Sequence, residues 1–147
     1  MGFFIGEYEY ALDNKGRINI PAKFRKAMAP EANDTMIITL SRDKCLDVYP
    51  MDVWQKRIVD KLSDFSEMDP KHRRLTSLIG ANSVDSAIDK QGRIAIPPKL
   101  LKYAELEGKV VVVGAFNRIE LWNPEVREQY QTDPNSALDE IERELLP

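Results

Sequence analysis

Apolar and polar positions alternate along Glu7-Tyr8-Glu9-Tyr10-Ala11-Leu12, with Tyr8, Tyr10 and Leu12 on one side. A period of two predicts a strand over 7–12. The alternation resumes after a short break: Ile18 and Ile20 point one way, and Lys15, Arg17 and Asn19 the other. The break itself, Asp13-Asn14-Lys15-Gly16, is turn chemistry, since Asp bonds nearby backbone and Gly accepts φ > 0 without steric cost. Pro21 ends the second strand and opens a helix, where a missing N–H costs nothing. That helix places Phe24, Ala27 and Met28 on one face. The unit reads strand, tight turn, strand, short helix.

The unit occurs twice. The stretch from Asp89 to Leu100 repeats the stretch from Asp13 to Phe24 at a constant offset of 76 (89 − 13). The Asp, Gly, Arg, both Ile, Pro and Lys are identical in the two copies. Ile94 and Ile96 keep the apolar side, whereas Gln91, Arg93 and Ala95 make a less charged outer side. Leu100, Tyr103 and Ala104 repeat the helix face. Further on, Val84–Ile88 echoes the first strand, Val110–Val113 the strand predicted over 36–40, and Ile119–Trp122 the run Leu46–Tyr49. Two copies are too few for a solenoid. They suit a pseudo-twofold domain in which each copy completes the other.

The remaining segments read as connections and helices. Ala29–Asp34 is a loop and Ser41–Lys44 a turn. From Pro50, Trp54, Ile58, Leu62 and Phe65 recur at helical spacing. Asp69 and Pro70 cap and open a further helix to about Ile79, with Leu75, Leu78 and Ile79 inward. A helix after Pro124 carries Val126 and Tyr130. Ser136 to Leu146 predicts a last helix, capped by Ser136, with Leu138, Ile141 and Leu145 on one face.

Composition narrows the class. A chain of 147 residues with 43% hydrophobic residues supports an ordinary core and argues against disorder. No apolar run approaches the roughly 20 residues of a membrane helix, and the N-terminus lacks the basic start of a signal peptide. Cys45 is the single cysteine and reads as a small buried hydrophobe. His72 is the single histidine, so no metal-ligand spacing exists, and neither a metal nor a cofactor is expected. These features favour the cytoplasm.

Charge changes the picture most. The net charge of −3 argues against a generic nucleic-acid binder. Its distribution does not: residues 14–26 hold Lys15, Arg17, Lys23, Arg25 and Lys26 with no acid. Acid gathers instead in 133–147, at Asp133, Asp139, Glu140, Glu142 and Glu144. A basic patch on a turn and helix start suits phosphate contacts. Arg17 and Arg93 also admit a structural reading, each paired with its own Asp across the turn, where an exposed pair contributes about 0–1 kcal/mol. Asp13 and Asp89 fit the outline of a catalytic carboxylate dyad. Their neighbours are turn and ion-pair residues, however, and no Ser-His, Cys-His or phosphate-loop constellation accompanies them, so no enzymatic activity is expected. Lys71-His72-Arg73-Arg74 reads as a solvated face or a subunit contact.

With the duplicated Asp-x-x-Gly-Arg-x-x-x-Pro unit, the paired "CLDVYP" and "IELWNP" strands and the insert containing "DPKHRR", the chain resembles the MraZ family over nearly its whole length. Each unit is similar to the swapped-hairpin AbrB type of bacterial DNA-binding module. The resemblance implies an α+β fold, a pseudo-twofold swapped-hairpin β-barrel made of two β-turn-β-α repeats with peripheral helices. The expected division is repeat 1 over 7–54, a helical connection over 55–82, repeat 2 over 83–126 and a C-terminal helical tail over 127–147. It implies a sequence-specific transcriptional regulator, cytoplasmic and nucleoid-associated, forming a ring-shaped homo-oligomer. Its partner is double-stranded DNA, as repeated boxes in its own promoter, upstream of the division and cell-wall gene cluster. The family motif arginines map to Arg17 and Arg93. On this reading Arg17 contacts a guanine edge or a phosphate, while Lys15, Lys23 and Arg25 hold the DNA backbone. Arg93 and Lys99 contribute from the second copy, which is the minor one because Gln91 stands where the first has Lys15. The alternative is an antitoxin-like protein–protein interaction module that uses the same basic turns.

Overall fold

A computed structural model describes residues 2–133 and 138–145. The strands are β1 (Phe4–Ala11), β2 (Arg17–Asn19), β3 (Thr35–Leu40), β4 (Leu46–Pro50), β5 (Ser83–Ala87), β6 (Arg93–Ala95), β7 (Lys109–Phe116) and β8 (Ile119–Trp122). The helices are α1 (Ala22–Ala27), α2 (Met51–Trp54), α3 (Asp60–Leu62), α4 (Pro70–Ala81), α5 (Pro98–Tyr103), α6 (Pro124–Gln131) and α7 (Leu138–Leu145). The expected α+β class holds, with antiparallel sheets and helices around them.

Six strands form one sheet in the order β1-β7-β8-β4-β3-β5, and β2 pairs with β6 in a second. This differs from the single closed barrel expected from the sequence: among the described residues β1 and β5 remain outer strands. The cause is the shortness of β2 and β6. With three residues each, they pair with one another and form a separate layer instead of closing the edge of the larger sheet.

The register carries the duplication. Ile18 lies opposite its repeat counterpart Ile94, with Arg17 opposite Ala95 and Asn19 opposite Arg93. In the larger sheet Asp47 lies opposite Glu120, flanked by Leu46 opposite Leu121 and Val48 opposite Ile119. The first strand of each copy pairs with the other copy: β1 with β7, and β5 with β3. Both central pairings are therefore symmetric about one pseudo-twofold direction.

The alternating side chains predicted to face inward do so. Ile18, Ile20, Ile94 and Ile96 from the small sheet meet Met36, Ile38, Leu46, Val48, Val110, Val112, Ile119 and Leu121 from the large one, all nearly inaccessible to solvent. Phe24 and Leu100 plug the core from α1 and α5. Burying a side chain of this size contributes roughly 1.5–3 kcal/mol, so the symmetric core joins the two copies alongside the backbone pairing between them. Tyr8 packs edge-on against Phe24, with ring centroids 5.4 Å apart.

The helical insert differs in detail from its sequence pattern. α2 continues through a π turn over Gln55–Val59 into α3, so the apolar stripe shifts within what the sequence presents as one regular helix. Asp69 caps α4 as expected, accepting from the Lys71 and His72 N–H groups at 2.8 and 3.5 Å. Leu75 and Leu78, expected inward, are 43% and 51% exposed. The hairpin closes instead through Phe65 stacked on His72 at 4.2 Å. In the tail α7 forms, with Leu145 exposed. The Ser136 cap lies outside the described residues.

Candidate nucleic-acid interface

The two Asp-x-x-Gly-Arg segments fold identically. The Asp13 N–H donates to the Arg17 carbonyl at 3.0 Å, and the Gly16 N–H donates to the Asp13 carbonyl at 3.1 Å. In the second copy Asp89 donates to Arg93 at 2.9 Å and Gly92 to Asp89 at 3.0 Å. Each Asp side chain gathers two further backbone donors. Asp13 Oδ1 accepts from the Lys15 and Arg17 N–H groups at 2.9 and 2.8 Å. Asp89 Oδ1 accepts from those of Gln91 and Arg93, both at 2.9 Å. Gly16 and Gly92 take φ of +76° and +80°, which completes the turn.

The copies are then laced together at the same place. The Ile20 N–H donates to the Gly92 carbonyl, and the Ile96 N–H to the Gly16 carbonyl, both at 2.8 Å. The two turns therefore sit side by side at one end of the molecule. Asn19 Nδ2 adds a bond to the Gln91 carbonyl at 3.2 Å.

This juxtaposition brings the two motif arginines into one network. Arg17 Nε donates to Asp13 Oδ2 at 2.7 Å, and Arg93 Nε to Asp89 Oδ2 at 3.0 Å. Arg93 Nη1 also reaches within 3.6 Å of Asp13 Oδ2, so among the described residues Asp13 serves both arginines and Asp89 only Arg93. The intramotif pairs anticipated from the sequence are present. They engage mainly Nε, and a guanidinium carries five donors in a rigid fork. The side chains retain 32% and 22% exposure, enough to present the remaining donors outward. The Arg17 backbone N–H, its guanidinium and the Lys15 N–H hold the Asp13 carboxyl at about 2. The Arg93 backbone N–H likewise lowers that of Asp89. Two carboxylates held ionised in this way do not share a proton as a catalytic dyad does.

The other basic residues divide. Lys15, Lys23 and Lys99 are exposed on the turn and the starts of α1 and α5. Arg25, counted with the first copy in the sequence, lies against the second. Its Nε donates to the Ile20 carbonyl at 3.2 Å, and its guanidinium covers Gly92, where an added Cβ would lie 2.8 Å from Cζ. The equivalent cover over Gly16 is the Leu101 side chain, 3.2 Å from an added Cβ.

A second cluster escaped the sequence reading. Cys45, Asp47 and Glu120 bring ligand-type atoms within 4.8 Å of one another on the opposite face of the central strands. Arg118 joins them, 2.8 Å from Glu120 and 3.5 Å from Asp47, and Trp122 Nε1 donates to Glu120 at 3.0 Å. Burial pushes the Cys45 thiol up to about 12 and the Asp47 carboxyl up to about 6. The arginine compensates the two carboxylates, and a thiol so hard to ionise is a poor metal ligand. Only the strand alternation hinted at this group, by placing Asp47 and Glu120 on one face.

The family model described as "MraZ protein, putative antitoxin-like" matches the chain twice, over residues 3–78 and 77–146. A protein of Thermomicrobium roseum named "Transcriptional regulator MraZ" is 40% identical over 122 residues, covering 83% of this chain and 82% of its own. One of the same name from Alkaliphilus metalliredigens is 39% identical over 138 residues, covering 94% and 93%. Another from Natranaerobius thermophilus is 35% identical over 143 residues, covering 97% and 96%.

Proposed function

The chain belongs to the MraZ family, and from that premise we propose that it is a transcriptional regulator that binds double-stranded DNA through its two paired turns. The observation that carries this reading is the placement of Arg17 and Arg93. They come from different repeats, meet at Asp13, and are oriented through Nε, with the donors not turned to Asp13 or Asp89 left for a ligand. A guanidinium fixed in this way is suited to a bidentate contact with a guanine edge, worth roughly 1–3 kcal/mol of discrimination. Exposed Lys15, Lys23 and Lys99 supply phosphate contacts that position the protein without reading sequence.

The finer reading has the target as repeated boxes in the protein's own promoter, ahead of the division and cell-wall genes, with the protein acting at the nucleoid in the cytoplasm. Its module is of the swapped-hairpin type, an assignment supported by the reciprocal pairing of β1 with β7 and β5 with β3. The proposed boundaries are 7–54 and 83–126 for the repeats, 55–82 for the connection and 127–147 for the tail. One subunit offers few base contacts and carries a net charge of −3. Repeated boxes bound by a ring of subunits would supply the missing affinity through avidity. Exposed Phe3, Ile5 and Phe116 at one end, and Leu75 and Leu78 on α4, support such an assembly.

The test is Arg17→Ala. It lowers affinity for a duplex from the protein's own upstream region to that for a scrambled duplex, leaving only salt-sensitive non-specific binding, and leaves the size-exclusion profile unchanged. Binding equal to that of the wild type, or lost only together with the oligomer, would make the arginine structural. An antitoxin-like interaction module would show no salt-sensitive affinity for DNA at all.

A further inference from the structure

We propose that Arg25 functions with the second turn rather than the first, and that it completes there, with Arg93, a phosphate-binding site on DNA. This rests on the DNA-binding reading above and deepens it.

The placement is made by the exchange of elements between repeats. Ile20, at the end of the β2 segment, is bonded to Gly92 of the other copy. α1 follows directly and delivers Arg25 onto Gly92, one residue before Arg93. The Arg25 Nε bond to the Ile20 carbonyl fixes the plane of the guanidinium over that glycine. Among the described residues Arg25 makes no ion pair, so its charge is uncompensated and its outer donors are available. A planar fork with free donors is well matched to a phosphate.

The duplication makes the asymmetry visible. In the first turn the equivalent cover is Leu101, which is apolar. The first turn has Lys15 where the second has Gln91, and the second has Arg25 where the first has Leu101. Gln91 therefore does not make the second copy minor. Each turn carries one cation beyond its motif arginine at these two positions, drawn in the first from its own loop and in the second from the other repeat. Lys90 stands in the second loop where the first has Asn14, so the second turn is the more cationic; the two turns of one subunit are built from different residues, and binding requires both repeats to be folded together.

The experiment measures affinity for a fluorescent duplex of the upstream region at several salt concentrations. The variants are Arg25→Leu, Arg17→Ala, Arg93→Ala and the two doubles that contain Arg25→Leu. Arg25→Leu, which copies the residue at the equivalent position, should weaken binding about tenfold. It should also flatten the dependence of log K on log salt by about 0.9 per subunit engaged. Its effect should be non-additive with Arg93→Ala and additive with Arg17→Ala. Arg25→Lys, which loses the planar fork but keeps the charge, should retain most of the salt slope. If the loss came through folding alone, both Arg25 variants would lower the melting temperature and leave the slope of the folded fraction unchanged. That result, or coupling to Arg17 instead of Arg93, or wild-type affinity in Arg25→Leu, would overturn this proposal while leaving the regulator reading intact. Absence of salt-dependent binding by the wild type would overturn both.

Discussion

Replacing either turn glycine by alanine separates strain in the turn from contact between the turns. Both glycines have positive φ, so an alanine costs about 1–2 kcal/mol at either position from its Cβ alone. The surroundings then differ. At Gly16 the new Cβ would lie 2.8 Å from the Ile96 carbonyl oxygen, which is backbone in a segment whose own N–H is bonded to the Gly16 carbonyl. Relief requires the two turns to part, and an unsatisfied buried bond adds about 1–3 kcal/mol. Gly16→Ala should therefore cost about 2–5 kcal/mol in total. At Gly92 the obstacle is the end of the Arg25 side chain, which can swing into solvent. Gly92→Ala should cost only the backbone strain, about 1–2 kcal/mol, but it dislodges Arg25 and should weaken DNA binding as Arg25→Leu does. Urea denaturation of both variants, with unchanged m-values, gives the stabilities, and fluorescence titration gives the affinities. Equal destabilisation, or a larger loss at Gly92, would refute the assignment of a rigid contact to one turn and a yielding contact to the other.

Asp47 should give the protein an inverted pH response. Burial raises its carboxyl to about 6 against an ordinary 3.8, so between those values the folded chain holds more protons than the unfolded one. The stability it supplies is present below about 4 and is lost as pH rises through 6. Asp47→Asn should then gain on the wild type by on the order of 2–3 kcal/mol between pH 4 and 7, measured by urea denaturation; a pH-independent difference would argue against it. Asp69→Ala should remove the cap of α4 and cost about 1 kcal/mol. Faster amide exchange at residues 71–74 with unchanged DNA affinity is the expected result.

Much of the molecule was legible because the duplication is written at two levels. Identical turn residues at a fixed offset announced the unit, and the alternation of Ile18 with Ile20 and Ile94 with Ile96 announced which side is buried. Periodicity cannot say which strand a strand will join. β2 looks like the return arm of a hairpin with β1, yet it pairs with β6, where Ile18 lies opposite Ile94 and both face the core. Arg25 was misplaced for the same reason: its neighbours in sequence are in the first turn, and its neighbours in space are in the second. Leu75 and Leu78 follow a proper helical stripe, but a stripe records that a face is apolar and not what covers it. The π turn in 55–59 leaves no mark on a pattern read at a constant angle per residue. The Asp13 bridge to both arginines depends on the close approach of two turns whose codons are far apart.

The pairing of β1 with β7 also orders events during synthesis. Phe4 is paired with Phe116 and Ala11 with Lys109, so the first strand leaves the ribosome long before its partner exists. Throughout that interval β1 is an open edge bearing Ile5, Tyr8 and Tyr10, the kind of edge that templates pairing with any matching strand. A finished β7 on a neighbouring nascent chain is chemically the same partner as the chain's own. Ribosomes spaced closely on one message would then favour exchange between copies, whereas sparse translation leaves each chain to close on itself, slowly, as its high contact order requires. The rate of initiation on the message thereby becomes a physical variable in the folding of its product.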